Sequence, residues 1–258
     1  MLKRLLTSTA ARPFLLVVIL LLLWDAVIRV FKIPPYLIPP PQKVVGQLIA
    51  EWPMLLKQSW LTTLATLGGF ALSVLIGIPL AMTIAYSRTV ESFVYPLLVF
   101  SQSIPKVAIA PLFVVWFGFG LVPKVIAAFL LGFFPVVVAT VQGFKSVEGD
   151  VIDLARSMGA NPFKIFLKFR LPHALPAIFS GLKVSVTLAV VGAVVGEFVN
   201  ADKGLGYLIV TSTAFFQVPL AWGALVLLSL LGIVLFQAVV IVEQVFFPWA
   251  IADDKQVA

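Results

Sequence analysis

The chain has 258 residues, of which 61% are hydrophobic and 11% charged, with a mean hydropathy of +1.12. A water-soluble domain carries about 25% charged residues, so composition excludes a soluble globular domain and predicts an integral membrane protein. The formal net charge of +7 lies in short loops between apolar runs, a topology signal before a nucleic-acid one, and the lack of cysteine excludes a disulfide framework or thiolate metal site.

Lys3, Arg4 and Arg12 precede the first apolar run. No small-residue cleavage site follows, and Trp24, Asp25 and Arg29 carry the segment on, so it reads as an uncleaved first transmembrane helix. A span needs roughly 20 mostly apolar residues. That measure predicts six spans, at about 13–31, 60–86, 93–118, 123–144, 174–199 and 219–246. The expected fold is all-α, one polytopic bundle of six transmembrane helices over residues 1–258. Asp25 and Arg29, four apart, suit a local ion pair at the membrane edge rather than a relay.

With the N-terminus in the cytoplasm, Lys3, Arg4, Arg12, Arg88, Lys145, Arg156, Lys164, Lys168, Arg170 and Lys255 lie inside. Lys32, Lys43, Lys57, Lys124 and Lys203 lie outside. That excess of basic residues favours both termini inside, and it puts the loop 145–173 inside as well. The outside loop 32–59 opens with the proline-rich run IPPYLIPPP, which should be extended. Val44, Val45, Leu48, Ile49 and Trp52 then form an apolar stripe at helical spacing, a helix packed on the membrane surface or a contact for a substrate-delivery protein.

The second span carries Gly69, Ser73, Gly77 and Ala81, and the fifth Gly181, Ser185, Ala189, Gly192 and Gly196. Small residues on one face let helices approach closely in a membrane. They serve packing within the bundle, or in the fifth span a pore or dimer seam. The third span is irregular: Ser101, Gln102, Ser103, Pro105 and Lys106 cluster near its middle, between Pro96 and Pro111. A charge at the helix centre costs about 2.5–3.5 kcal/mol on insertion scales, so such residues face a protein interior or a wet cavity. Ser101, Gln102, Ser103 and Lys106 are the candidate lining of a translocation path; the alternative is a lysine paired inside the protein. Lys183 near one end of the fifth span is placed to snorkel. Glu197 near the other opens a polar turn with Asn200, Asp202, Lys203 and Gly204-Leu205-Gly206-Tyr207, a glycine-requiring turn or a contact for a solute-binding protein.

The longest polar interruption after residue 60 is Asp153–Pro172. Val147, Val151, Leu154, Ala155 and Met158 recur at helical spacing, with Glu148, Asp150 and Asp153 early, where a helix dipole favours acids. Gly159 suits a C-terminal cap, and Asn161-Pro162 an N-cap followed by proline at the first position. A second short helix would set Phe163, Phe166 and Leu167 on one side and Lys164 and Lys168 on another, ending at Pro172. Two short helices joined by a tight turn are predicted, either a docking element or an ordinary hairpin at the membrane surface.

This segment resembles the cytoplasmic EAA loop of bacterial ABC-importer permeases, whose pattern runs E-A-A, three residues, G, nine residues, I-x-L-P. Asp153, Leu154 and Ala155 stand at the E-A-A positions, Gly159 at the glycine, Phe169 at the isoleucine, and Leu171 and Pro172 at the end. Asp for Glu, Leu for the first Ala and Phe for Ile depart from the pattern. The stretch Ile104–Gly120 is similar to the third span of nitrate, sulfonate and taurine permeases, and of permeases for thiamine-pyrimidine precursors or riboflavin. The resemblance covers roughly 60–250, the family core, with 1–59 holding the first span and outside loop.

The resemblance implies a type I importer of the bacterial inner membrane, with two copies of this chain around one path. Two cytoplasmic ATPase subunits would bind ATP and magnesium, and a periplasmic or lipid-tethered protein would deliver a small solute, either an anion of the nitrate, sulfonate or taurine kind or a pyrimidine- or riboflavin-type vitamin precursor. Asp153, Ala155, Gly159, Phe163, Leu171 and Pro172 would form the ATPase-coupling loop. The chain would hold no cofactor or metal of its own, and no G-x-x-x-x-G-K-[ST], H-E-x-x-H or G-x-S-x-G occurs in it. Its one histidine, His173, follows Pro172 and reads as structural or solvated. The alternative function is an ion-coupled secondary transporter, which would use intramembrane acids.

Overall fold

The computed structural model describes residues 11–200 and 202–250, and among them every regular element is helical. Lys3, Arg4 and Lys255 of the topology argument lie outside the described residues. Helix α1, Ala11–Val30, occupies the expected first span. The proline run leads into α2, Pro41–Ala50, which starts on Pro41 behind an extended Pro40. It buries Val44 and leaves Val45 and Ile49 exposed, as an amphipathic surface helix does.

Helix α3 runs from Trp52 to Tyr86, 35 residues. At 1.5 Å per residue it outruns a hydrocarbon core of about 30 Å. It therefore begins before residue 60, the point at which apolarity alone signals a span. The expected third span is not one helix. It divides into α4, Arg88–Gln102, and α5, Lys106–Phe117, bent by 95°. Pro105 lacks an amide hydrogen and cannot continue the ladder of α4, so it stands extended ahead of α5 as its N-cap residue.

Helix α6, Leu121–Lys145, is central, with α3 on one side and α9, Leu171–Asn200, on the other. The short helix α10, Leu205–Ala214, and the long α11, Val218–Phe246, complete the described chain apart from a final turn at Pro248–Ala250. Among the described residues, four helical stretches are long and apolar enough to cross a membrane, and the bent α4–α5 pair makes a fifth if it is one span.

The small residues act within the bundle. A side chain at Gly69 would strike the Phe129 amide of α6 at 2.6 Å, and one at Gly192 the Ala127 carbonyl at 2.6 Å. Ala65, Ala128, Ala189 and Ala193 fill the same three-helix seam. Lipid tails are as apolar as leucine, so close van der Waals contact holds such helices together. The glycines of the fifth span thus face α6 and not a pore or dimer seam.

Candidate functional site

The polar loop forms two short helices, α7, Gly149–Ser157, and α8, Pro162–Ile165. Gly159 joins them with φ +79, a conformation that disfavours a side chain. Its N–H donates to Arg156 O at 2.9 Å, and the Ala160 N–H to Ala155 O at 3.0 Å. This pair of bonds is a Schellman cap. Asn161 Oδ1 accepts the Lys164 N–H at 2.8 Å, the expected N-cap. Both turn devices sit where the sequence pattern places them.

The apolar face of the loop divides in two. Ile152, Ala155 and Ile165 are buried together against Val147 and Ala160. Leu154, Met158 and Phe163 point away, 62%, 80% and 69% exposed. The sequence reading groups Leu154 and Met158 with Ala155 and passes over Ile152 and Ile165. A helix of nine residues spans two and a half turns, too short for periodicity to tell a buried stripe from a neighbouring exposed one. Asp153 pairs with Arg156 at 3.0 Å, and both are largely exposed.

Pro172 does not end the second helix. A π-helical turn, Phe166–Arg170, continues α8 into α9, so residues Pro162–Val199 form one 38-residue stretch. The Leu171 N–H reaches back five residues to Phe166 O. Proline stops a helix because its ring meets the carbonyl four residues back; the widened turn before Pro172 shifts that carbonyl, and the helix passes. Leu171 packs with Phe144, Ala174 and Ile178, and Phe166 stacks on Phe144 at 5.5 Å. Phe163 and Phe166 also edge a cleft of about 640 Å³ with Met82, Tyr86 and Val90. His173 is exposed.

At the break between α4 and α5, Lys106 Nζ donates to Gln102 Oε1, and Ser101 Oγ to Leu98 O at 2.6 Å. Ser101 and Lys106 face one cavity of about 330 Å³ whose walls include Ile109, Phe129, Phe133 and Phe134. Gln102 joins that site through Lys106; Ser103 lies in the exposed break beside it. A single ammonium over an apolar, aromatic wall can hold a small anion with an apolar body.

The far end of the bundle holds a polar centre that sequence reasoning misplaces. Glu197 is 1% exposed, so it is no surface contact. Its carboxylate accepts from Thr62 Oγ1 at 2.9 and 3.0 Å and from the Gly206 N–H at 2.8 Å. Thr62 Oγ1 in turn accepts the Leu205 N–H at 2.9 Å, and Gln58 Oε1 the Gly204 N–H at 2.7 Å. These acceptors satisfy the open amides at the start of α10. Gly204 has φ +116, and a side chain there would collide with the Glu197 carboxylate. Lys124, expected in an outside loop, is buried and donates to Lys203 O at 2.6 Å. The available signal was the four-residue spacing of Gln58 and Thr62 on one face of α3.

Two further ion pairs join spans. Lys183 does not snorkel; its Nζ lies 2.5 Å from Oε2 of the buried Glu243 on α11. Lys145 at the end of α6 pairs with Glu91 at the start of α4. Asp25 and Arg29 form the expected local pair at 2.7 Å. Among the described residues no cluster of His, Cys, Asp and Glu is arranged to hold a metal.

Residues 73–248 match the family of binding-protein-dependent transport system inner membrane components. A formylaminopyrimidine transport permease protein, ThiX, from Halalkalibacterium halodurans is 39% identical over 93% of this chain and 96% of its own length. A probable ABC transporter permease protein from Haemophilus influenzae is 39% identical over 87% of this chain and 92% of its own. The taurine transport system permease protein TauC of Escherichia coli is 28% identical over 90% of this chain and 86% of its own. Among solved structures, the methionine ABC transporter MetNI aligns with a TM-score of 0.63 at 21% identity. That alignment covers 76% of this chain and 97% of the other, and at this identity it shows the fold alone.

Proposed function

The chain belongs to the family of binding-protein-dependent transport system inner membrane components, and from that premise we propose how it works. It is a transport component, the multi-pass inner-membrane permease of an ABC importer that acts with ATPase and solute-binding partners. The loop around Asp153, Ala155, Gly159, Phe163, Leu171 and Pro172 is where an ATPase subunit docks. The observation that carries this reading is the exposure of Leu154, Met158 and Phe163 on the polar segment between α6 and α9, while Ile152, Ala155 and Ile165 pin the loop from within. An exposed apolar patch on a rigid, polar-rimmed element marks a protein contact. Because α8 runs unbroken into α9, a push on the loop moves a span.

Two copies of the chain pair around one path, with both termini cytoplasmic and one ATPase under each loop. ATP and magnesium sit in those ATPases. A periplasmic or lipid-tethered protein delivers the solute, which passes Ser101, Gln102, Ser103 and Lys106. The names of the relatives and the lone ammonium of Lys106 support a small solute. It is anionic, of the nitrate, sulfonate or taurine kind, or else a pyrimidine- or riboflavin-type precursor. An ion-coupled carrier has no supporting observation: Asp25, Glu197 and Glu243 are each engaged by Arg29, by Thr62 with Gly206, and by Lys183.

The test is purification of the tagged protein from its native host in mild detergent, with identification of what accompanies it. A co-purifying protein that carries G-x-x-x-x-G-K-[ST] is expected. A lone chain whose transport in liposomes follows an ion gradient would overturn the reading.

A further inference from the structure

The loop 145–173 leaves α6 at Lys145, and that lysine pairs with Glu91 in the first turn of α4. The pairing is built from both sides. A lysine at a helix C-terminus and a glutamate at a helix N-terminus each sit where the helix dipole favours their charge. Val90 and Val94 of the same part of α4 pack on a cluster that holds Ala81 and Ile84 of α3 together with Val137 and Val141 of α6. At its other end α4 reaches Ser101 and Gln102, at the break that carries Lys106. Between the second loop helix and the start of α4 lies the open cleft edged by Phe163, Phe166 and Val90, so loop and α4 are not close-packed there.

We propose that the Glu91–Lys145 ion pair is the strut that carries movement of the ATPase-docking loop into α4, and so to the Ser101–Lys106 break. Both residues are positioning residues and touch no solute. The inference rests on the docking reading above. Half-exposed ion pairs add little to stability, so the pair's removal leaves the fold intact and uncouples its two ends.

The chain has no cysteine, so Ser101→Cys provides a single reporter at the break. The Ser101→Cys protein is purified with its ATPase from the native host, and labelling of its band by a soluble fluorescent maleimide is timed with and without magnesium-ATP. A several-fold change in labelling rate on adding ATP is expected. In Glu91→Gln and Lys145→Met backgrounds the ATPase still co-purifies and still hydrolyses ATP, but the ATP response at position 101 is lost. The charge exchange Glu91→Lys with Lys145→Glu restores it. An undiminished response in both single variants, or no recovery in the exchanged pair, overturns the strut. Loss of the ATPase from the parent complex instead overturns the docking reading, and the strut with it.

Discussion

Thr62 Oγ1 lies 2.9 and 3.0 Å from the two carboxylate oxygens of Glu197, a residue 135 positions away in sequence. One hydroxyl thereby joins α3 to α9 and, by accepting the Leu205 N–H, to α10. Thr62→Val keeps the shape and removes both functions, leaving a buried carboxylate short of a donor and a buried N–H without an acceptor. Each orphaned group costs about 1–3 kcal/mol. Thermal unfolding in detergent should show a clearly lowered Tm for Thr62→Val and a near-normal one for Thr62→Ser.

Lys183 and Glu243 join α9 to α11. Removing one partner of a buried pair costs about 3–5 kcal/mol, because the other charge stays buried. Lys183 keeps 26% of its side chain exposed, against 6% for Glu243, so it can turn outward when its partner is lost. Lys183→Met, which strands the acid, should therefore lower the Tm more than Glu243→Gln. The double variant should be no worse than Lys183→Met alone. Equal shifts in the two single variants would contradict the asymmetry.

Gly159→Pro removes the N–H that caps α7 and forces φ negative where the chain needs +79. The loop should lose its fixed shape and the ATPase should no longer co-purify, while the bundle still inserts and elutes as a single species. Gly159→Ala keeps the N–H and meets only the left-handed cost of about 1–2 kcal/mol, so it should retain part of the binding. Full retention in Gly159→Pro would count against docking at this loop.

Lys106 is the cation of the cavity at the α4–α5 break. Lys106→Met keeps the length and loses the charge. Uptake by cells should fall while the amount of assembled complex stays unchanged; wild-type uptake would remove Lys106 from the path.

The long spans, the αL glycine, the N-cap at Asn161 and the Asp25–Arg29 pair were legible because each rests on local chemistry: apolar length, one backbone conformation, one side-chain acceptor, one helical spacing. Three other features depend on neighbours that a linear reading does not supply. Glu197 reads as part of an outside turn until Thr62 and the α10 amides are folded over it. Lys183 reads as a snorkelling residue until α11 brings Glu243 to it. Pro172 reads as a terminator because the π turn that accommodates it has no compositional mark. The small-residue stripes were legible as contacts, and their partner helix, α6, only in the fold.

The central claim is that Leu154, Met158 and Phe163 meet an ATPase. The most direct measurement is photo-cross-linking in the native host from a benzophenone amino acid placed at Met158, 80% exposed at the tip of α7. The account predicts one main adduct, between this chain and a protein carrying the G-x-x-x-x-G-K-[ST] sequence, with none from the same probe at Ile233 in the middle of α11. Adducts from position 158 only to lipid or to other parts of this chain would contradict it.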